Sequence, residues 1–333
     1  MIAFIVRRMA QAILVVFAMS TIVFFAVNVV GNPVDMLISP EADQAEIART
    51  IKALGLDRPI LEQYWFFLKG LAEGDFGKSF IFGEPAIKLI WQHMPATIEL
   101  ALVSLFIAVA IGIPLGLYAG LHHESRLSRV IMAGSILGFS LPTFWVGLMM
   151  IMLFSVMLGW LPSTGRGDTA VLFGIESSLW TMNGLSHLFM PALNLALTNI
   201  SLVIRLTRAS VRETIHQDYI KYARAKGLPE RRVISVHLMK NIMIPVVTVL
   251  GLEFGALLAF SVVTESIFAW PGMGKLLIDS LLQLDRPVVV AYLMVIAVFF
   301  VVINLVVDIL YSLLDPRVRL QDHRACEMRR SSL

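Results

Sequence analysis

Apolar residues along this chain fall into long unbroken runs, not into the alternating pattern of a half-buried strand. A helix needs about 20 consecutive apolar residues to cross a bilayer's hydrocarbon core. Six windows meet that length, at roughly 9–30, 97–120, 130–158, 187–206, 242–265 and 288–312. In lipid, only helices or closed barrels satisfy every backbone N–H and C=O. These runs are too long and too uniformly apolar for barrel strands. The pattern therefore predicts an all-α integral membrane protein, a six-transmembrane-helix bundle. Pro142 is placed to break the third span, and Pro114 sits similarly in the second. Arg7 and Arg8 ahead of the first run imitate a signal peptide. That run exceeds a signal h-region and no small-x-small cleavage site follows, so a retained helix is expected.

Composition agrees with the pattern. Hydrophobic residues make up 57% of the 333 and charged residues only 15%, with mean hydropathy +0.78. A soluble domain carries about 25% charged residues, so lipid must solvate much of this chain. The net charge of +3 is too small to suggest nucleic-acid binding. Its distribution says more. The N-terminus, 121–129, 205–241 and the C-terminal tail hold 18 lysines and arginines, whereas the intervening segments 31–96, 159–186 and 266–287 hold 9. The positive-inside rule puts both termini and the basic loop 207–241 in the cytoplasm. The acid-bearing stretch 31–96, with Asp35, Glu41, Asp43 and Glu46, is then outside. The single Cys326 excludes an internal disulfide framework.

Candidate chemistry is sparse. Gly77-Lys78-Ser79 imitates the end of a phosphate-binding loop, but Ala72 stands where that loop needs its earlier glycine. The seven histidines are scattered, with no pair at the helical spacing of a zinc protease. No metal site or catalytic set is expected. Glu253 and Asp308 fall inside apolar spans, where a charge costs about 2.5–3.5 kcal/mol on insertion scales. Each must meet a partner or a wet cavity, and Glu253 is a candidate polar residue on a translocation path. Gly112, Gly116 and Gly120 form a ridge at four-residue spacing, and Gly251 and Gly255 repeat it. Such ridges let helices pack closely; lining a substrate path is the alternative.

The loop 207–241 is longer than a helix–helix connector, which takes about 2–8 residues. Asp218 signals a helix start, Gly227 a stop, and Pro229 the first turn of a further helix. Ala223 and Ala225 would let another surface come close. The loop is either a solvated orienting element or a docking element.

Landmarks in the chain include LGLDRPILEQY (54–64), DFGKSF (75–80), PATIELAL (95–102), SLPTFW (140–145), WLPSTGR (160–166), RLTRASVRE (205–213), DYIKYARAKGL (218–228), TESIFAWPGMGKLLIDSL (264–281) and NLVVDILYSLLDPR (304–317). In that order they resemble the inner-membrane permease subunits of ATP-binding-cassette importers for dipeptides, oligopeptides and nickel. The resemblance implies the type I importer permease class and a bacterial inner-membrane location. It implies an N-terminal helix and extracytoplasmic segment at 1–94, a permease domain at 95–313 and a cytoplasmic tail at 314–333. Such a subunit pairs with a second homologous permease, two cytoplasmic ATPases and an extracytoplasmic substrate-binding protein. It is no enzyme itself: ATP and magnesium belong to the partner subunits, and this chain carries no cofactor.

The resemblance further implies that 218–228 is a coupling helix seated on an ATPase, with Asp218, Tyr219, Ala223, Arg224, Ala225, Lys226 and Gly227 as its contact and turn residues. Arg224 and Lys226 would meet acidic groups of the ATPase. The superfamily's Glu-Ala-Ala motif and following glycine map onto Lys221, Tyr222, Ala223 and Gly227, of which the last two agree. The subgroup usually has glutamine at the position of Glu253. Di- or oligopeptides are the expected cargo. Nickel chelates or glutathione are alternatives within the family, and a self-contained secondary transporter is the alternative outside it.

Overall fold

A computed structural model describes residues 2–29, 43–44, 49, 51–52, 57–172 and 174–314. The expected contents of 30–42 and of the tail from 315 onward, Cys326 included, lie outside the described residues. The described residues divide into two compact units. One falls within Met1–Glu99, Pro162–Leu188 and Leu258–Val301, the other within Leu100–Leu161, Phe189–Leu257 and Val302–Leu333.

Among the described residues, five helices are long and apolar enough to cross a membrane, and a sixth span exists if one bent helix pair counts as one. Helix α1 is Ile2–Val29. Helix α2, Ile60–Glu73, begins after Pro59 and ends at Gly74, whose left-handed φ of 75° returns its N–H to Gly70 and Leu71 carbonyls. Helix α3, Ala86–Leu121, runs 36 residues. Contrary to expectation, Pro114 does not break it. Pro142 does break the third span: α4 (Arg126–Ser140) and α5 (Thr143–Met157) meet at 102°. Leu141 is extended (φ −80°, ψ 133°), as the residue before a proline prefers. The last seven residues of α5, Ile151–Met157, widen into a π-helix.

A hairpin follows that a purely helical reading misses. Strand β1 (Ala170–Leu172) pairs antiparallel with β2 (Ile175–Ser177), Ala170 opposite Ser177. Helix α6 is Met182–Thr214, with Pro191 inside it. Helix α7 is Asp218–Ala225. Helix α8, Glu230–Phe260, opens with a π-helical stretch at Val233–Leu238. The fifth span thus ends at Phe260, five residues earlier than expected, and the chain continues as a short helix α9, Val262–Ile267. Helices α10 (Met273–Leu282) and α11 (Arg286–Leu314) are the last elements among the described residues.

In the first unit the core joins Ala86, Leu89 and Ile90 of α3 to Met273 and Leu276 of α10 and to Val288, Ala291 and Tyr292 of α11. In the second unit the glycine ridge of α3 faces α6. A Cβ added to Gly112, Gly116 or Gly120 would stand 2.6–2.7 Å from the side chain of Val203, Thr207 or Val211 respectively. Only hydrogen fits at those points, so the ridge is a packing seam. Gly251 of α8 likewise abuts Val307 of α11.

Candidate functional site

Helix α7 is short, and what holds it is its apolar face. Ile220 is fully buried and Ala223 nearly so, in a cluster with Val211 of α6 and Val233, Leu238 and Ile242 of α8. The close approach that Ala223 permits is therefore to the chain's own helices. Ala225 is on the outward face, as are Tyr219 and Tyr222. Burial raises the pKa of the Tyr219 phenol.

Charge on α7 is largely matched within the chain. Asp218 begins the helix, where an acid suits the dipole, and accepts from Lys221 Nζ at 3.0 Å. Arg224 forks onto Glu230, with Nε at 2.7 Å and Nη2 at 3.4 Å. Glu230 thus already holds Arg224 within the chain, and both side chains stay exposed. Lys226 lies 4.6 Å over the Tyr222 ring. Gly227 takes φ of 77° and donates its N–H to the Arg224 carbonyl at 2.9 Å. That turn directs the chain to Pro229, and α8 starts at Glu230.

Glu253 lies half-buried in α8. Among the described residues it has no hydrogen-bond or ion-pair partner, so the internal pairing allowed for it from sequence is not seen there. Asp308 in α11 does have a partner.

Sequence reasoning missed three buried acids of the first unit. Glu99 of α3 takes both Arg166 Nη2 (2.5 Å) and Nε (3.2 Å). It also accepts from the Ser177 hydroxyl (2.9 Å), the Ser178 hydroxyl (2.5 Å) and the Ser178 N–H (2.8 Å). Glu265 of α9 is fully buried. It accepts from Thr97 Oγ1 (2.8 Å), Ser261 Oγ (2.8 Å) and the Lys275 N–H (3.0 Å), with a further bond from the Gly274 N–H. Gly272 and Gly274 pass so near this carboxylate that a Cβ on either would collide with it. Burial raises the pKa of Glu265, and the four donors pull the other way. Asp285 accepts from Ser79 Oγ and from the Phe80 N–H.

These acids tie distant connections to α3, α10 and α11. Trp270 adds to the same fastening by donating Nε1–H to the Ala96 carbonyl at 2.9 Å. A signal was available in the sequence: Glu99 is an acid within an apolar run, as Glu253 and Asp308 are.

The sequence matches two family descriptions. One is the binding-protein-dependent transport system inner membrane component, over residues 112–320, and the other is the N-terminal membrane-component region of such systems, over residues 1–101. A Pseudomonas aeruginosa di/tripeptide transport system permease protein, DppB, is 38% identical, spanning 96% of this chain and 100% of its own length. The Bacillus subtilis oligopeptide transport system permease protein AppB is 37% identical, over 96% of this chain and 99% of its own. The Escherichia coli glutathione transport system permease protein GsiC is 36% identical, with the same coverage. Among solved structures, the inward-facing MetNI methionine ABC transporter superimposes with a TM-score of 0.52 at 17% identity. The match covers 68% of this chain and 96% of that one, and it speaks for the fold alone.

Proposed function

Because the chain belongs to the family of inner-membrane components of binding-protein-dependent transport systems, we propose that it is the permease subunit of an ATP-driven importer of di- and oligopeptides. The end-to-end likeness to peptide permeases of two bacteria carries this reading. The cargo would be delivered by an extracytoplasmic binding protein and would pass between this subunit and a second, similar permease. Two cytoplasmic ATPases would bind ATP and magnesium, leaving this chain without cofactor or catalytic residue. Both termini and α7 would face the cytoplasm.

Helix α7 is the proposed coupling element. Its inner face, Ile220 and Ala223, fixes it to α6 and α8. Its outer face, Tyr219, Tyr222, Ala225 and Lys226, is free to meet an ATPase. Motion of the ATPases would push α7, and the Arg224–Glu230 fork would carry that push into the base of α8. Glu253 stands farther along the same helix and would face cargo or the partner permease. Glutathione is a second reading, since GsiC is nearly as similar to this chain as the peptide permeases are.

The test is uptake of labelled dipeptide, tripeptide and glutathione by cells carrying the chain with its partners. Tyr222→Asp is expected to abolish ATPase copurification and uptake together while leaving the chain in the membrane. Glu253→Gln is expected to alter preference between cationic and neutral peptides. Normal ATPase capture by Tyr222→Asp would defeat the coupling role, and unchanged preference would remove Glu253 from cargo contact.

A further inference from the structure

A cavity of about 350 Å³ lies within the first unit, its walls including Phe66 and Phe67 of α2, Asp75, Phe76 and Phe80 of the turn after it, and Arg286 of α11. Four aromatic rings and one guanidinium dominate it. The Arg286 guanidinium has no hydrogen-bond or ion-pair partner among the described residues. The two neighbouring acids are engaged elsewhere. Asp75 Oδ1 accepts the Gly77 N–H at 2.9 Å, and Asp285 faces Ser79 and Phe80. A second guanidinium, Arg58, lies 4.5 Å over the Phe66 ring.

The depth of this cavity follows from where α11 begins. The same stretch of α2 packs against α1. Thr21 Oγ1 is 2.7 Å from the Tyr64 hydroxyl, and the Phe24 ring is 5.2 Å from Tyr64 and 5.4 Å from Phe67. Helix α11 begins at Arg286 and its apolar run starts at Val288, so Arg286 stands at the edge of that span. A basic residue heading an apolar span belongs where hydrocarbon gives way to headgroups, and the cavity it lines lies there with it. Helix α2 agrees with that depth, since it exposes Leu61, Trp65 and Phe66, and tryptophan and its kind collect at this layer.

We propose that this cavity binds one phospholipid of the surrounding leaflet, its phosphodiester on Arg286 and its glycerol and upper acyl carbons against Phe66, Phe67 and Phe76. A guanidinium fork matches phosphate oxygens in pairs and is weakly hydrated, which suits a partly dry site. The apolar walls then hold what a water-soluble phosphate lacks. Lipid sites of this build, basic pockets among membrane helices, are an established physical type.

The test uses the full-length chain, purified with its partner subunits and stripped of lipid in detergent. Phosphatidylglycerol, phosphatidylethanolamine, diacylglycerol and glycerol phosphate are added separately, and bound molecules are counted by native mass spectrometry. Both phospholipids are expected to be retained, and the other two compounds not. Arg286→Gln should lower retention about tenfold, as loss of a charge-assisted bond predicts, while Arg286→Lys keeps part of it. Size-exclusion profiles identify any variant that has not folded, and Phe67→Ala then serves as a second probe of the same wall. Equal retention by Arg286→Gln, or equal binding of diacylglycerol, would overturn the phosphate contact. Equal binding of glycerol phosphate would overturn the lipid as its source.

Discussion

A carboxylate in a dry place is tolerable only when several donors converge on it. Glu265 shows how finely balanced such a site is. Burial holds its pKa above the ordinary value against four donors. The folded state therefore keeps this proton more tightly than the unfolded chain, whose value is about 4.3. The group's contribution to stability is full in acid and is lost as pH rises through the raised value. Subtracting the melting temperature of Glu265→Gln from that of the wild type, across about pH 4 to 8, should give a difference that falls with pH; a flat difference would refute this. Gly227 is a different kind of requirement. Nothing lies within 4 Å of a Cβ built there, yet its φ is 77°. Its constraint is backbone conformation alone, so Gly227→Asn should be tolerated while Gly227→Val costs about 1–2 kcal/mol. Equal melting of the two variants would show that the turn does not need a left-handed residue.

At the scale of elements, close packing decides which substitutions matter. A Cβ on Gly116 would meet Thr207 Cβ at 2.6 Å and the Ile204 carbonyl oxygen at 2.8 Å. A backbone oxygen cannot swing aside, so Gly116→Ala should push α3 from α6 at a cost of about 1–3 kcal/mol. Gly134 of α4 has nothing within 4 Å, and Gly134→Ala should stabilise by up to about 1 kcal/mol through helix propensity. Thermal unfolding in detergent compares them, and a loss at Gly134 matching that at Gly116 would contradict the seam. Helix α7 was legible because its start, stop and restart are written locally in Asp218, Gly227 and Pro229. The fates of the prolines were not. Pro142 interrupts a span while Pro114, Pro191 and Pro245 sit inside continuous helices, so a proline in an apolar run does not by itself tell a break from a continuous helix.

For the whole molecule, the six apolar runs and their basic flanks carry most of the architecture, because lipid imposes a length and a period that sequence displays directly. The buried acids were hidden for the opposite reason. Ser79 meets Asp285 across 206 residues and Thr97 meets Glu265 across 168, and no local pattern announces such pairs. Orientation is testable with the protein's own composition, since Cys326 is its only cysteine. In a Cys326→Ser background, Phe82→Cys should react with a membrane-impermeant maleimide in intact cells, whereas His123→Cys, in the loop 121–129, should react only after permeabilisation. Both positions are exposed, so the reverse labelling would invert the assigned topology.

The bend between α4 and α5 bears on how the chain is made. Each arm has 15 residues, about 22 Å of helix, against a hydrocarbon thickness of about 30 Å. Neither arm can cross alone. Residues 126–157 are therefore expected to enter the lipid as one piece, both arms together. A chain ending at Ser140 would leave α4 too short to cross the bilayer by itself.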